Sequence, residues 1–236
     1  MIARPKIEWK TTEIRGFTKL ATVSPLSRAG LACRWLLNLS DDDLKKCPEH
    51  FLEDVADLPS VLAKFRPQVV RRAPPLDDLL KLVARCLGAR ERIVRSPHCR
   101  DKLAQSLYEC YLPRDAQHDR GHRRGDTAAS DANVALLLQK PSGDLALIAP
   151  ALLWLFGDAE HLGFYDVTPA RLRVAALVKH LWASPGHRDC FRSLARDERA
   201  FVTFANGLLQ GRKRVIPRRF NVGGLEATPE RNASTL

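Results

Sequence analysis

The sequence predicts an all-α protein of stacked helical hairpins rather than a closed bundle, and three observations carry that prediction. Apolar residues recur at the spacing of one helix face in several separate stretches. No stretch shows convincing strand-like alternation. Helical segments follow one another through short joins at 88–98 and 183–187, as in helix pairs that stack side by side.

In chain order, the first strong pattern is Phe51–Phe65, with Phe51, Val55, Leu58, Leu62 and Phe65 on one expected core face. Pro59 lies inside it and is expected to kink or divide the helix, because proline removes a backbone donor and crowds the preceding turn. In LDDLLKLVARCLG, Leu76, Leu79, Leu80, Val83 and Leu87 share a face, and Gly88 stands where a helix would stop. Leu103, Leu107 and Tyr111 form a third face, and Val174, Leu177, Val178 and Leu181 a fourth. The polar stretch 113–133 reads as a mobile surface loop, long for a connector. From 211 to 236 the chain is basic and then rich in Gly, Pro, Asn, Ser and Thr, which reads as a disordered tail.

A chain of 236 residues with 45% hydrophobic content can bury a substantial core. Its longest apolar run, Leu145–Phe156, contains Pro150 and falls well short of the ~20 residues a bilayer span needs. Met1–Lys10 carries Arg4, Lys6 and Lys10 with no apolar segment behind them, so no secretory signal is expected. The six cysteines include no Cys-x-x-Cys pair and sit mostly in apolar stretches, which predicts a reduced protein of the cytoplasm, the nucleus or both. The net charge of +11 is partly local, since Arg212, Lys213, Arg214, Arg218 and Arg219 crowd the tail.

The segments RSPHCRDKL (95–103) and ASPGHRDCF (183–191) nearly repeat one another, and they place His, Cys, Arg and Asp together. Neither supplies a ligand pair at metal spacing. Ser96 and Ser184 are instead natural N-caps, with Pro97 and Pro185 at the first helical position and Asp101 and Asp189 near the positive helix end. His118 and His122 have His-x-x-x-His spacing but lie among Arg120, Arg123 and Arg124, whose charge opposes a metal. Asp158, Glu160 and Asp166 form an acidic cluster, yet residues two apart on a helix do not face each other, so these read as turn residues. No Gly-x-Ser-x-Gly elbow and no phosphate-binding glycine loop occurs. No catalytic, metal-binding or cofactor-binding residue is nominated. The basic tail lacks interleaved aromatic residues, so nucleic acid is not the expected partner, and no membrane partner is expected.

Four blocks, in order, carry a family resemblance: CPEHFLEDVADLPSVLAKFRPQVV, LDDLLKLVARCLGARERIVRSPHCRDKLAQSLYECYLP, LLWLFGDAEHLGFYDVTPARLRVAALVKHLWASPGHRDCF and FVTFANGLL. The most specific residues are Asp158, Glu160 and Gly163, then Phe164, Tyr165 and Asp166, then Arg173, Lys179 and Trp182, and finally Pro185, His187 and Arg188. Together they resemble the core domain of ubiquitin chain-elongation factors, the U-box ligases of the "E-four" class in ubiquitin-fusion degradation. The likeness lies within 47–210, is absent over 113–144 and in the tail, and is loose over 1–46, read as N-terminal helices.

The resemblance implies an elongated, armadillo-like helical-repeat (α-solenoid) core, here partial, that holds partners while ubiquitin chains grow and itself forms no covalent intermediate. It further implies an AAA ATPase segregase, ubiquitinated substrates and proteasome shuttle proteins as partners. In that family more helices and a U-box follow, whereas here FVTFANGLL leads into QGRKRVIPRR. Binding of a conjugating enzyme, and ligase activity by this chain alone, are therefore not expected. The alternative reading is a non-enzymatic helical-repeat module with a basic face for nucleic acid or an acidic protein. Under the family reading the motif residues are structural, with Phe164, Tyr165, Trp182 and Arg188 expected at interfaces between repeats.

Overall fold

In a computed structural model, residues 24–74, 76–89, 92–113 and 129–215 are described, and every regular element among them is helical. The α-helices are α1 (Pro25–Leu37), α2 (Asp41–Leu44), α3 (Glu49–Phe65), α4 (Pro67–Arg72), α5 (Asp77–Gly88), α6 (Pro97–Tyr111), α7 (Asp131–Leu138), α8 (Ile148–Asp158), α9 (Val167–Leu181), α10 (Pro185–Leu194) and α11 (Glu198–Val215). Short 3-10 turns at Gly143–Leu147 and Ala159–His161 precede and follow α8.

Serine starts these helices repeatedly. Ser24, Ser40, Ser96 and Ser130 each accept a hydrogen bond at the side-chain oxygen from the amide three residues on, which satisfies an otherwise orphaned helix donor. Ser24-Pro25 is a third Ser-Pro start beside the two read from the sequence. The end of the segment read as a loop over 113–133 is helical: α7 begins at Asp131, where Ser130 caps it and Asn133 is buried. Residues 114–128, including His118 and His122, lie outside the described residues. The helix α11 runs on to Val215, so the first five residues of the segment read as a disordered tail are helical; 216–236 lie outside the described residues.

The packing forms two rows. Helices α1, α5, α8 and α11 lie one on the next, as do α3, α6 and α9, and the hairpin pairs α1–α3, α5–α6 and α8–α9 bridge the rows. Polar contacts fix the direction of the first two hairpins. Arg34 on α1 bonds Asp78 on α5, while Arg85 near the end of α5 reaches Leu37 O, Leu39 O and Asp41 just past the end of α1. Ser96 N donates to Glu49 Oε1, and Lys102 pairs with Asp57 at 3.0 Å. Equivalent positions in the two hairpins are thus 44 to 48 residues apart, and like helices run parallel. That offset is of the size found in two- and three-helix repeats. The stack is compatible with an armadillo-like solenoid.

One large apolar cluster runs from Leu26 to Phe191. Helix α3 enters it unexpectedly. Its buried side is Leu52, Val55, Ala56, Pro59, Ser60 and Ala63, whereas Phe51, Leu58 and Phe65, expected in the core, face solvent. Small residues on this side let α3 lie closely on α6, its most extensive helix contact. Pro59 does not divide the helix either. It is buried within a continuous α3, and Ser60 Oγ donates to Ala56 O at 2.8 Å beside it.

Asn133 holds three elements at one point. Its Oδ1 accepts from Leu76 N at 3.0 Å, at the start of α5, and its Nδ2 donates to Cys110 O at 3.3 Å, near the end of α6. Tyr111 Oη donates to Leu76 O at 2.6 Å, completing the staple. Because Asn133 is buried, its loss strands two backbone groups. Asn133→Ala should lower unfolding free energy by about 2 kcal/mol or more in denaturant melts. An unchanged midpoint would show that the staple is dispensable.

Candidate functional site

The block SPHCRD and the block around Asp158 meet inside the protein. Arg100 and Asp101 lie on lines of α6 that otherwise carry Leu103, Leu107, Ala104 and Tyr108, so the helix drives both charges inward. Arg100 Nη1 donates to Asp158 Oδ2 at 2.7 Å, with the two side chains 5% and 10% exposed. The next residue reaches a different helix: Asp101 Oδ2 accepts from Arg173 Nη2 on α9 at 2.5 Å. Two consecutive residues therefore clamp α8 and α9 to α6. Arg171 lies 5.2 Å from the Phe156 ring and donates from Nε to Phe156 O at 3.3 Å, tying α9 to α8 again.

The remaining motif residues divide by place. Asp158 turns into this clamp, Glu160 is half-buried in the following 3-10 turn, and Asp166 is exposed ahead of α9, so the acidic cluster is not brought together. Gly163 sits under the Asp166 carboxylate, 3.0 Å from where a Cβ would stand. Phe164 and Tyr165 correct the sequence expectation: they are 77% and 87% exposed and contact each other edge to face at 5.3 Å. Ala159, Leu162, Val167 and Ala170, which flank the pair in sequence, form a separate small buried cluster that does not include the two rings. Lys179 is exposed on α9.

The second Ser-Pro block corrects the capping expectation: its serine stands at the N-cap position, makes no side-chain cap bond and docks on another helix instead. Ser184 occupies the N-cap position of α10 and Pro185 the first helical position, but the Ser184 hydroxyl donates to Leu138 O at 3.3 Å. His187, buried, bonds through Nε2 to Leu137 O at 3.1 Å, which makes Nε2 the proton-bearing nitrogen. Both contacts satisfy carbonyls at the end of α7. A Cβ on Gly186 would meet Pro141 Cδ at 2.5 Å, so only glycine fits this approach. Arg188 donates to Trp182 O and Ala183 O just beyond α9, where a cation is favoured, and Trp182 packs on Phe191 with ring centroids 6.0 Å apart. Asp189, expected to meet the helix dipole, pairs weakly with Arg192 at the surface.

The electrostatics suit structure better than nucleophilic chemistry. Burial pushes the Cys33 and Cys86 thiols up to about 12, and it raises Cys99 and Cys110 as well, so these thiols stay protonated at neutral pH. Burial lowers the pKa of His187, partly opposed by its bond to Leu137 O. Among the described residues no group of three or more His, Cys, Asp or Glu side chains is placed to hold a metal ion. No single helix among them is long and apolar enough to cross a membrane. An open groove of about 460 Å³ runs past Arg92, Asp144 and Trp154, and the guanidinium of Arg85 at its wall is already committed to Asp41.

The sequence reading missed Arg100 as a functional residue and gave Asp101 only a dipole role. The signal was present: two adjacent charges occupying positions where the period of α6 calls for apolar side chains. Removing one partner of a buried pair leaves the other charge uncompensated. Asp158→Asn should therefore cost about 3–5 kcal/mol in equilibrium unfolding, and a loss below about 1 kcal/mol, the scale of a surface pair, would reject the clamp. His187 gives a pH test. Its folded pKa lies below the unfolded value, so the unfolded chain binds the proton first, and stability present above about pH 6.5 falls as pH drops toward the lowered folded value. Unfolding free energy should fall more steeply below about pH 6.5 in the native chain than in His187→Gln; parallel profiles would dismiss the assignment.

The comparisons with known proteins agree with this arrangement of blocks. The family described as the ubiquitin elongating factor core matches residues 18–211. A probable ubiquitin conjugation factor E4 from Arabidopsis thaliana is 30% identical over 168 residues, which cover 69% of this chain and 15% of the relative's length. No solved structure matches. These findings do not favour the alternative of an unrelated basic binding module. The matched span reaches from before α1 into α11 and takes in the charge clamp and both docked Ser-Pro blocks, and the chain belongs to the ubiquitin elongating factor core family.

Proposed function

We propose that this chain acts as a scaffold in ubiquitin chain elongation, holding a ubiquitin-bearing substrate where further ubiquitin can be added. The observation that carries the reading is the family match, which spans the rows of helices joined by the charge clamp. The rate effect is proximity: a tethered acceptor lysine meets a charged ubiquitin at an effective concentration in the millimolar range. None of the described side chains is assigned a covalent step. By the same reading its partners include ubiquitinated substrates, an AAA ATPase segregase and shuttle proteins that carry substrates to the proteasome, and it works in the cytoplasm, the nucleus or both.

The test joins a U-box to the C-terminus of the full chain and supplies activating enzyme, conjugating enzyme, ubiquitin and a substrate carrying one fused ubiquitin. Chains of several ubiquitins should form roughly tenfold faster than with the same U-box on an unrelated helical repeat of equal length. Equal rates from the two fusions would sink the proposal.

A further inference from the structure

The corner between α3 and α4 presents an apolar ridge set among cations. Phe51, Leu58 and Phe65 recur every seven residues along α3, Val61 falls between them, and all four are exposed. At the end of this line Phe65 is 69% exposed, Val61 50% and Val69 on α4 41%. The corner is a fixed feature. Pro67 disfavours helical backbone in the residue before it, and Arg66 leaves the helix there with φ −138° and ψ 57°. Arg66 N still closes α3 on Leu62 O, Val69 N bonds Arg66 O, and buried Val70 pins α4 to the core.

Lys64, Arg66 and Arg72 are exposed around these three apolar side chains. Among the described residues none of the three cations has a carboxylate within ion-pair distance, and Lys64 lies 5.9 Å from the centre of the Phe65 ring. The nearest acids along α3 leave the corner basic: Asp57 is paired with Lys102, and Asp54 lies more than two turns back from Phe65. Apolar surface of this kind, rimmed by charge, marks a protein-contact site.

The geometry points to the α3–α4 corner as a docking site for a short acidic amphipathic segment of a partner protein, its Leu or Phe side chains on Val61, Phe65 and Val69 and its carboxylates on Lys64, Arg66 and Arg72. The ridge supplies buried area, and the cations supply steering and orientation. This surface is independent of the chain-elongation reading.

The test uses the full chain and a fluorescent synthetic helix with leucines on one face and glutamates on the other, followed by anisotropy. The peptide should bind saturably, and Phe65→Ala and the double variant Lys64→Glu with Arg66→Glu should each weaken it about tenfold or more, as expected of a central anchor and its charged rim. All these positions are exposed, so unchanged circular dichroism and melting will separate lost binding from lost folding. Equal binding of a lysine-faced version, equal binding of polyglutamate, or Phe65→Ala affinity within about twofold of the native chain would overturn the proposal. So would Phe65-dependent binding to vesicles of phosphatidylcholine and phosphatidylserine with no binding of the peptide.

Discussion

Arg100 and Asp101 are consecutive residues of opposite charge, and their burial on α6 couples the second hairpin, α5–α6, to the third, α8–α9. One reaches α8 through Asp158 and the other reaches α9 through Arg173. The physical constraint lies in the desolvation. A buried pair adds little net stability over an apolar replacement, yet leaving either charge alone is expensive. Rows of helices joined only by apolar contact can slide by a turn at modest cost. Rows joined by two charges can exchange neither partner without stranding one, so the clamp selects a single register for α6, α8 and α9. Among the described residues Arg100 Nε, Asp101 Oδ1 and Arg173 Nε have no hydrogen-bond partner of their own, which fits a device that specifies position more than it stabilises.

The same logic recurs between the first two hairpins. Arg85 spends its guanidinium on Asp41 and on two carbonyls at the end of α1, and Arg34, Asp78, Lys102 and Asp57 fix the remaining offsets. Apolar side chains fill the rows while polar ones set how far each helix is shifted against its neighbour. Between α8 and α11 the determinant is steric instead. A Cβ on Gly207 would come within 3.0 Å of Gly157 Cα, so backbone meets backbone there and Phe204 can lie against Phe156, with ring centroids 5.3 Å apart. A larger residue at Gly207 would push the last helix outward.

Fold class was legible because helix periodicity is a local signal, and α5, α6 and α9 bury the apolar faces their spacing suggests. The Ser96 cap was legible for the same reason, since a cap is decided within four residues, whereas Ser184 takes the N-cap position without a side-chain cap bond, and the caps at Ser24, Ser40 and Ser130 were missed. The offset near 45 residues was not, because it is written in polar contacts between non-identical side chains and not in repeated words. The clamp was half legible. Asp158 and Arg173 stood out through the family resemblance, but their partners were hidden in a stretch whose Ser-Pro start absorbed attention. Phe164 and Tyr165 were misplaced because aromatic residues are usually buried, and nothing local announces that Leu162 and Val167 on either side will go into the small buried cluster while the two rings stay out.

The face of α3 was misread for a reason that reaches beyond prediction. Hydrophobicity alone would turn Phe51, Leu58 and Phe65 inward; the chain turns in Ala56, Ser60 and Ala63. Distance resolves the conflict. Small side chains let α3 and α6 approach closely, and that approach is required for Ser96 N to meet Glu49, Cys99 Sγ to meet Glu49 O and Lys102 to meet Asp57. With phenylalanines between the helices those contacts would open, and α6 would no longer present Arg100 and Asp101 at the depth where Asp158 and Arg173 receive them. The large apolar residues are thereby displaced to the surface. The outward positions take no part in the α3–α6 contact; Phe51 instead meets Trp35 of α1 edge to face at 6.2 Å, whereas a polar residue at position 65 would satisfy the fold equally well. Among the described residues no aromatic contact accounts for Phe65, 69% exposed at the end of the line, and contact with another molecule is the use it fits.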